Sequence, residues 1–473
     1  MNTFSKKISS IQSNQILFVL LIMQPFLDII SFFAVKNGLT LFTTVLRMFI
    51  FAVVTIYSFW ISDNKKLYYV MGGILCMYWI LHMLGCFMKG YQSLYQDTAM
   101  YLRTIQMPVL AVAFITLLKK NRNYNGEIEK SFFINYIVIT VSILISFLVG
   151  IPEYTYYGNI GIKGWFSVGN SQSCIISVMA PLGLCYAYRT QRKVMFFLTL
   201  GMEVLNMYFF GTRVAFFSIF IVCISFGIFL IWNRKKEFYT YLLLILAMLI
   251  CAIAYKYSPC YVNQFKSNNS FSEWDAEIAE IKINHMEGID KENEKYEREI
   301  YLETYNLYCK DLVEKYGLEK VVEKYNYSTD ASDVISNRKL KINYSSLNMD
   351  EQGIWTHLFG YEYLDYIYNG TIYDPENDFP ALYFSYGYVG LVLYIIFILY
   401  FVMISLKYVL NNWRKISIEI GTIGTALVLM LGVAQYSGNV LRRPNVSIYL
   451  SVMLAYMYYL CKSEEMISEE NSN

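Results

Sequence analysis

The sequence predicts an all-α polytopic membrane protein, on three observations. Hydrophobic residues make up 56% of the 473 and charged residues only 16%, with a positive mean hydropathy of +0.36. That composition excludes an ordinary soluble globule. Apolar runs of about 20 residues recur along the chain, the length that a bilayer core of roughly 30 Å demands. A long polar block, residues 258–380, then interrupts them.

Twelve spans are expected, centred near residues 14–34, 40–61, 67–88, 97–118, 131–150, 169–188, 193–210, 214–232, 239–257, 381–406, 416–437 and 444–461. The chain then divides into helices one to nine (1–257), the polar block (258–380), and helices ten to twelve with a tail (381–473). The opening Met-Asn-Thr-Phe-Ser-Lys-Lys, followed by a full-length span, does not resemble a cleaved signal peptide.

Orientation follows from lysine and arginine in the short connections. Alternate connections carry Lys6/Lys7, Lys65/Lys66, Lys119/Lys120/Arg122/Lys130, Arg189/Arg192/Lys193, Arg234/Lys235/Lys236, Lys407/Arg414/Lys415 and Lys462. The intervening ones hold only Lys36, Lys89, Lys163, Arg213 and the pair Arg442/Arg443. Both termini are therefore expected in the cytoplasm, and the polar block on the extracytoplasmic side.

The net charge of +2 hides a split: residues 258–380 hold 24 Asp/Glu against 12 Lys/Arg, a net of −12, and the rest carries +14. A basic inner face suits an anionic cytoplasmic leaflet. The acidic block argues against nucleic acid or an anionic lipid surface as its partner. Six of the nine cysteines (Cys76, Cys86, Cys174, Cys185, Cys223 and Cys251) fall within spans, where a small buried thiol is the plain reading. Cys260 and Cys309 share the polar block, and whether they pair is open from sequence. His82, His285 and His357 are scattered without metal-ligand spacing, so neither a metal nor another cofactor is expected.

Within the block, Phe271-Ser-Glu-Trp-Asp275 offers a capping-box start at Ser272 for a charged helix reaching about Glu303. Residues 311–325 place Leu312, Tyr316, Leu318, Val321, Val322 and Tyr325 near one helical face. Residues 326–346, rich in Ser, Asn and Asp, read as loop. Residues 354–363 turn aromatic, as suits chain returning to a membrane interface. The block fits a few helices lying over the membrane domain better than an independent domain.

Ionisable residues inside spans are costly and mark functional candidates. Here they are Asp28, Arg47, Arg103 and Glu203, with Arg213 just past the end of the seventh span. All fall in the outer halves of their helices, which implies a water-filled cavity open to the outside. The alternative for each alone is a structural ion pair or a snorkelling side chain. Arginine binds phosphate oxygens with a planar fork and stays charged when desolvated. A diphosphate on a lipid-linked substrate fits, as do a phospholipid headgroup and an anionic solute. Arg442 and Arg443 either join this set or touch lipid headgroups. Glu376 and Asp378, two apart after Pro375, either take a proton from an incoming sugar hydroxyl or complement the dipole of the tenth helix.

These residues resemble a known pattern. Glu376-Asn-Asp-Phe-Pro-Ala-Leu-Tyr-Phe-Ser-Tyr-Gly-Tyr-Val-Gly-Leu-Val-Leu-Tyr394 resembles the signature of the O-antigen ligase and repeat-unit polymerase superfamily. Gln24-Pro-Phe-Leu-Asp28, Gly164-Trp-Phe-Ser-Val-Gly-Asn-Ser171, Gly211-Thr-Arg-Val-Ala215 and Asn439-Val-Leu-Arg-Arg-Pro-Asn-Val-Ser447 agree with it in order. Two departures stand out: Glu376-Asn377-Asp378 replaces a stretch that carries histidine in the ligases, and Asn439 stands where histidine is expected. The acidic pair looks closer to Gram-positive members.

The resemblance implies a metal-independent, GT-C-like membrane glycosyltransferase. Such an enzyme moves a glycan from undecaprenyl diphosphate to an acceptor hydroxyl outside the cytoplasmic membrane. It implies Arg213 as the diphosphate-binding residue, with Arg103 and Arg47 assisting, and Glu376 or Asp378 as the group that activates or orients the acceptor. Expected partners are undecaprenyl-diphosphate-linked oligosaccharides, membrane lipid, and a flippase and chain-length regulator of the same pathway, with no nucleic acid. The first expectation is a polymerase of capsular or exopolysaccharide repeat units. A ligase to another acceptor comes next, and a flippase or transporter of lipid-linked sugar is the reading from a different class. A purely structural or sensing membrane protein is the third option. Against transport stand the long outer block and the absence of visible repeats.

Overall fold

A computed structural model of the chain describes residues 13–120, 126–284, 294–438 and 440–470. Lys6, Lys7, Arg122, His285 and Asn439, invoked above, lie outside the described residues. Helices dominate, and the twelve expected spans all appear as helices. These are α1 (Ser13–Lys36), α2 (Thr40–Ile61), α3 (Lys65–Phe87), α4 (Leu94–Lys119), α5 (Glu127–Leu148), α6 (Gly169–Arg189), α7 (Lys193–Phe210), α8 (Arg213–Trp232) and α9 (Phe238–Ile253). After the polar segment come α17 (Asp378–Asn411), α18 (Ile418–Tyr436) and α19 (Pro444–Glu470). Among the described residues, nine helices (α1 to α5, α7, α8, α17 and α18) are long and apolar enough to cross a membrane. The protein is a multi-pass membrane protein.

Two compact units divide the chain. The first comprises Met1–Gly72, Leu102–Asn263 and Ile395–Asn473. At its centre α6 packs against α5, α7, α8, α18 and α19. Its sequence explains both that position and its modest hydropathy. Ser171, Ser173, Cys174, Ser177, Ala180, Gly183, Cys185 and Ala187 are small, so neighbouring backbones approach closely, and nearly every residue from Ser171 to Tyr188 is buried. A helix covered by protein on all sides needs no lipid-facing apolar surface.

One end of this bundle is tied by a buried carboxylate. Glu129 is wholly inaccessible; it accepts a hydrogen bond from the Tyr456 hydroxyl at 2.6 Å and lies 3.5 Å from an Arg189 guanidinium nitrogen. Arg189 reaches Glu419 at 3.7 Å as well, so α5, α6, α18 and α19 meet at one charge cluster. A buried carboxylate is tolerable only with such partners.

The all-helical expectation needs one amendment in each unit. A hairpin of β1 (Tyr154–Tyr156) and β2 (Ile160–Ile162) precedes α6, with Tyr154 opposite Ile162. In the second unit, β3 (Ile367–Tyr368) pairs with β4 (Thr371–Ile372). Period-2 patterning is too short in either to stand out in sequence.

The second unit comprises Gly73–Tyr101 and Gln264–Tyr394. It holds the end of α3, the start of α4, and the helices of the polar segment. Helix α10 (Pro259–Asn284) runs unbroken through position 272, so no helix starts there; α11 (Glu294–Tyr308) follows. The expected helix over 311–325 is two, α12 (Lys310–Tyr316) and α13 (Leu318–Lys324), separated at Gly317 with φ +85°. The expected apolar face survives the break. Leu312, Tyr316, Val321, Val322 and Tyr325 are buried together with Tyr305, Tyr344, Leu347 and Tyr373, and Leu318 packs on their edge. Residues 326–346 are not loop. They contain α14 (Ala331–Val334) and the start of α15 (Asn337–Gln352), capped by the Ser336 hydroxyl accepting from the Lys339 amide. Tyr344 and Leu347 on α15 fill the same core, which offsets the poor helix propensity of Asn and Ser. A short α16 (Ile354–Phe359) completes the segment.

The tenth apolar run begins earlier than expected, at Asp378, and is interrupted. Gly387 has φ +63° and ψ −172°, a conformation reserved for glycine. The break separates 378–386 from the remainder. It bends the chain enough to bring the Asp378 carboxyl within electrostatic reach of Tyr394, which a straight helix would place about 24 Å away along its axis. A side chain at Gly387 would collide with the Leu358 carbonyl and the Phe359 amide, and one at Gly360 (φ +85°) with the backbone at Ser385. Two backbones cross here at a distance that excludes even a methyl group.

The Gly387→Ala variant is expected to lose at least about 2–3 kcal/mol from backbone strain alone, before any displacement of Leu358. Its thermal unfolding midpoint in detergent should fall clearly below that of Gly432→Ala, since nothing lies within 4 Å of a methyl group at Gly432.

Candidate active site

Arg213 stands at a built corner of the first unit. Gly211 ends α7 in the left-handed conformation (φ +88°), and Thr212 caps α8, its hydroxyl accepting from the Ala215 amide at 3.2 Å. A side chain at Gly211 would press on Pro259 and on Gly161 of β2 at about 3.0–3.1 Å, so the glycine is required by close packing as well as by φ. Thr155 of β1 donates to the Phe210 carbonyl at 2.6 Å and fastens the hairpin to the same corner. Arg213 is then the first residue of α8. It is exposed, and makes no hydrogen bond or ion pair among the described residues. A guanidinium at a helix N-terminus adds its charge to the unpaired amides and dipole of the helix, an arrangement suited to a phosphate.

Arg103, on α4, is half-buried and also without an ion pair or hydrogen bond among the described residues. Arg47 is different. Its guanidinium donates to Asp28 at 2.8 Å and to Gln24 at 2.9 Å, with both charged side chains about 90% buried. Asn445 also hydrogen-bonds Asp28, so the stretch 24–28 and the start of α19 meet at this ion pair. The cavity bordered by Arg47, Gln24 and Gln106 measures about 10 Å³. That is room for about one water, so this cavity does not hold a diphosphate. Arg442 is buried, at 4% exposure, which removes the headgroup reading for it. The Arg443 carbonyl accepts from Val446 and Ser447 and starts α19. Glu203 is fully buried, neither carboxyl oxygen has a hydrogen-bond partner among the described residues, and Gly183 makes room for it. The charges inside the expected spans thus include an ion pair, Arg47 with Asp28, and a buried carboxyl, Glu203.

In the second unit the two acidic candidates part company. Glu376 is three-quarters buried and held by Arg338 at 3.2 Å and Lys341 at 3.5 Å. Asp378 opens α17 and is completely buried. It is no solvated helix start. Cys260 and Cys309 are both free thiols. Burial raises the Cys309 thiol to about 11, so it stays protonated at neutral pH.

Sequence reasoning missed a third group. His82, Cys86 and Asp97 converge in the second unit, their ligand-type atoms all within 4.8 Å of one another. The signal was present: His82 and Cys86 are four apart on one helix, and Asp97 lies in the first turn of the next. Counting histidines alone hid it.

A family model described as O-antigen ligase like membrane protein matches residues 11–464. No curated protein matches the chain.

Arg47→Met should cost about 3–5 kcal/mol by leaving Asp28 buried without its cation. Adding Asp28→Leu should restore most of that loss, as read from unfolding in detergent. A structural pair predicts this recovery; a ligand-binding arginine that merely touches Asp28 does not.

Proposed function

The chain belongs to the O-antigen ligase like membrane protein family, and on that premise we propose that it polymerises undecaprenyl-diphosphate-linked oligosaccharide repeat units into capsular or exopolysaccharide. The family supports the coarser statement directly: a membrane enzyme acting on lipid-linked glycan. The observation that carries the finer reading is Arg213, exposed and unpaired among the described residues at the start of α8. In the reaction proposed, the bond between the sugar anomeric carbon and the phosphate oxygen breaks, and a new bond forms to an acceptor hydroxyl. Negative charge builds on the departing diphosphate, and Arg213 with the α8 amides stabilises it. The acceptor proton passes to a carboxylate and then to water.

Glu376 is the preferred carboxylate, since it retains partial access and is oriented by Arg338 and Lys341, whereas Asp378 is sealed. Arg103 is a secondary phosphate contact. Arg47 and Arg442 are assigned to holding the fold, and Arg443 to lipid or substrate phosphate. Lysine and arginine distribution supports cytoplasmic termini and an extracytoplasmic polar segment, where flipped lipid-linked units and a chain-length regulator would meet the enzyme. Transfer is proposed to need no metal.

Arg213→Ala should abolish polymer in cells while the protein still inserts at normal level, and Arg213→Lys should restore a fraction, since lysine keeps the charge but loses the fork. Polymer length is read on a gel beside membrane abundance by immunoblot. Normal chain length in Arg213→Ala would refute the diphosphate role. Glu376→Gln is expected to reduce transfer more than Asp378→Asn relative to folded protein. With a purified lipid-linked repeat unit as sole substrate, ladder formation identifies a polymerase, and a single transfer to another acceptor identifies a ligase.

A further inference from the structure

The His82, Cys86 and Asp97 cluster is built like the ligand set of a metal ion. His82 and Cys86 share one face of α3, four residues apart. Asp97 enters from the first turn of α4. All three are buried, at 0, 6 and 4% exposure. The ring nitrogen Nδ1 of His82 lies 2.7 Å from the Phe359 carbonyl, which only accepts, so Nδ1 carries a proton and donates. Nε2 lies 2.8 Å from Asp97 Oδ2, a distance at which the two share a proton that a bound ion would displace, and 3.6 Å from Cys86 Sγ. With that proton displaced, three ligand-type atoms lie within 4.8 Å of one another. No lysine or arginine fills the space between them among the described residues; the nearby Lys89 is occupied by Gln352 and Thr356.

We propose that His82 Nε2, Cys86 Sγ and Asp97 Oδ2 bind one divalent ion of the zinc class. Mixed nitrogen, sulfur and oxygen donors select that class. Tetrahedral zinc with usual bond lengths places N and S about 3.6 Å apart and N and O about 3.4 Å apart. The first matches the separation found, and the second asks Asp97 to withdraw by about 0.6 Å. The outer partners of such a site are also in place. The Phe359 carbonyl orients the imidazole, and the Tyr91 hydroxyl (2.8 Å) and the Tyr363 amide (3.3 Å) hold the carboxylate. Trp79 stacks on the imidazole with its ring centre 5.1 Å away.

The fourth position opens at Cys86 on a cavity of about 50 Å³ that Glu362 and Asp365 also line. That volume has room for more than one water. The ion is structural: it fastens the α3–α4 turn to the chain at Phe359 and Tyr363, and it does not depend on the transfer reaction proposed above.

The test uses the full chain in detergent, with a histidine-free tag and no chelator. Elemental analysis should find about one zinc per chain, as three side-chain ligands on one ion require. His82→Gln, Cys86→Ser and Asp97→Asn should each lose it, while Cys309→Ser keeps it. Cobalt exchanged into wild-type protein should give a thiolate-to-cobalt charge-transfer band, a readout that needs no variant to fold. Wild-type protein free of stoichiometric zinc and without that band would overturn the proposal, as would full zinc retention in a monodisperse Cys86→Ser variant. Neither outcome bears on Arg213.

Discussion

The second unit depends on a crossing of two backbones at Gly360 and Gly387. Each glycine sits at positive φ, and each faces main-chain atoms of the other strand where a Cβ would stand. The closeness has consequences for hydrogen bonding. It ends the first helical stretch of α17 at Tyr386, whose carbonyl accepts from the Tyr78 hydroxyl at 2.7 Å. It also sets the Phe359 carbonyl where Tyr78 and His82 both reach it. Gly390 continues the same logic, since a methyl group there would meet Tyr386 and the Tyr78 hydroxyl. Two glycines three residues apart thus serve one end: to let a helix break and still pack against aromatic side chains without a gap.

In the first unit the governing constraint is the cost of charge away from water, and the chain meets it in two ways. Glu129 and Asp28 are paired with arginines and further donors. Arg213 is left at a helix start, where it is exposed and the peptide dipoles already favour an anion. A guanidinium locked to a buried carboxylate must surrender a strong interaction before it can take a phosphate. One at an exposed corner surrenders only water. That difference, rather than depth in the membrane, separates Arg213 from Arg47.

The helices were legible in the sequence because long apolar runs favour helix, and all twelve expected runs are helical. Helix α6 shows where that rule weakens. Serines and glycines lower its hydropathy because protein replaces lipid around it. Within the polar segment, composition misled at residues 326–346: Asn, Ser and Asp suggested loop, yet Leu340, Tyr344 and Leu347 recur at helical spacing and decide the matter by burial. The break at Gly387 was not readable, since nothing local distinguishes it from the tolerated Gly432. Its reason lies with Leu358, far away in sequence.

The candidate site divides along the same line. Arg213 was legible because Gly211-Thr212-Arg213 is a local device, a helix stop, a cap and a first residue in succession. Glu376 and Asp378 looked equivalent as neighbours, and only tertiary structure separates them, giving one carboxylate two cations and burying the other. The His82 group needed both kinds of information. Its i, i+4 pair is local, but the Phe359 carbonyl that fixes the tautomer arrives from a residue 277 positions on. Chemistry that rests on the direction of a lone pair is therefore set by the crossing at Gly360. A methyl group there would move the Phe359 carbonyl and with it the face that the imidazole presents to Cys86 and Asp97.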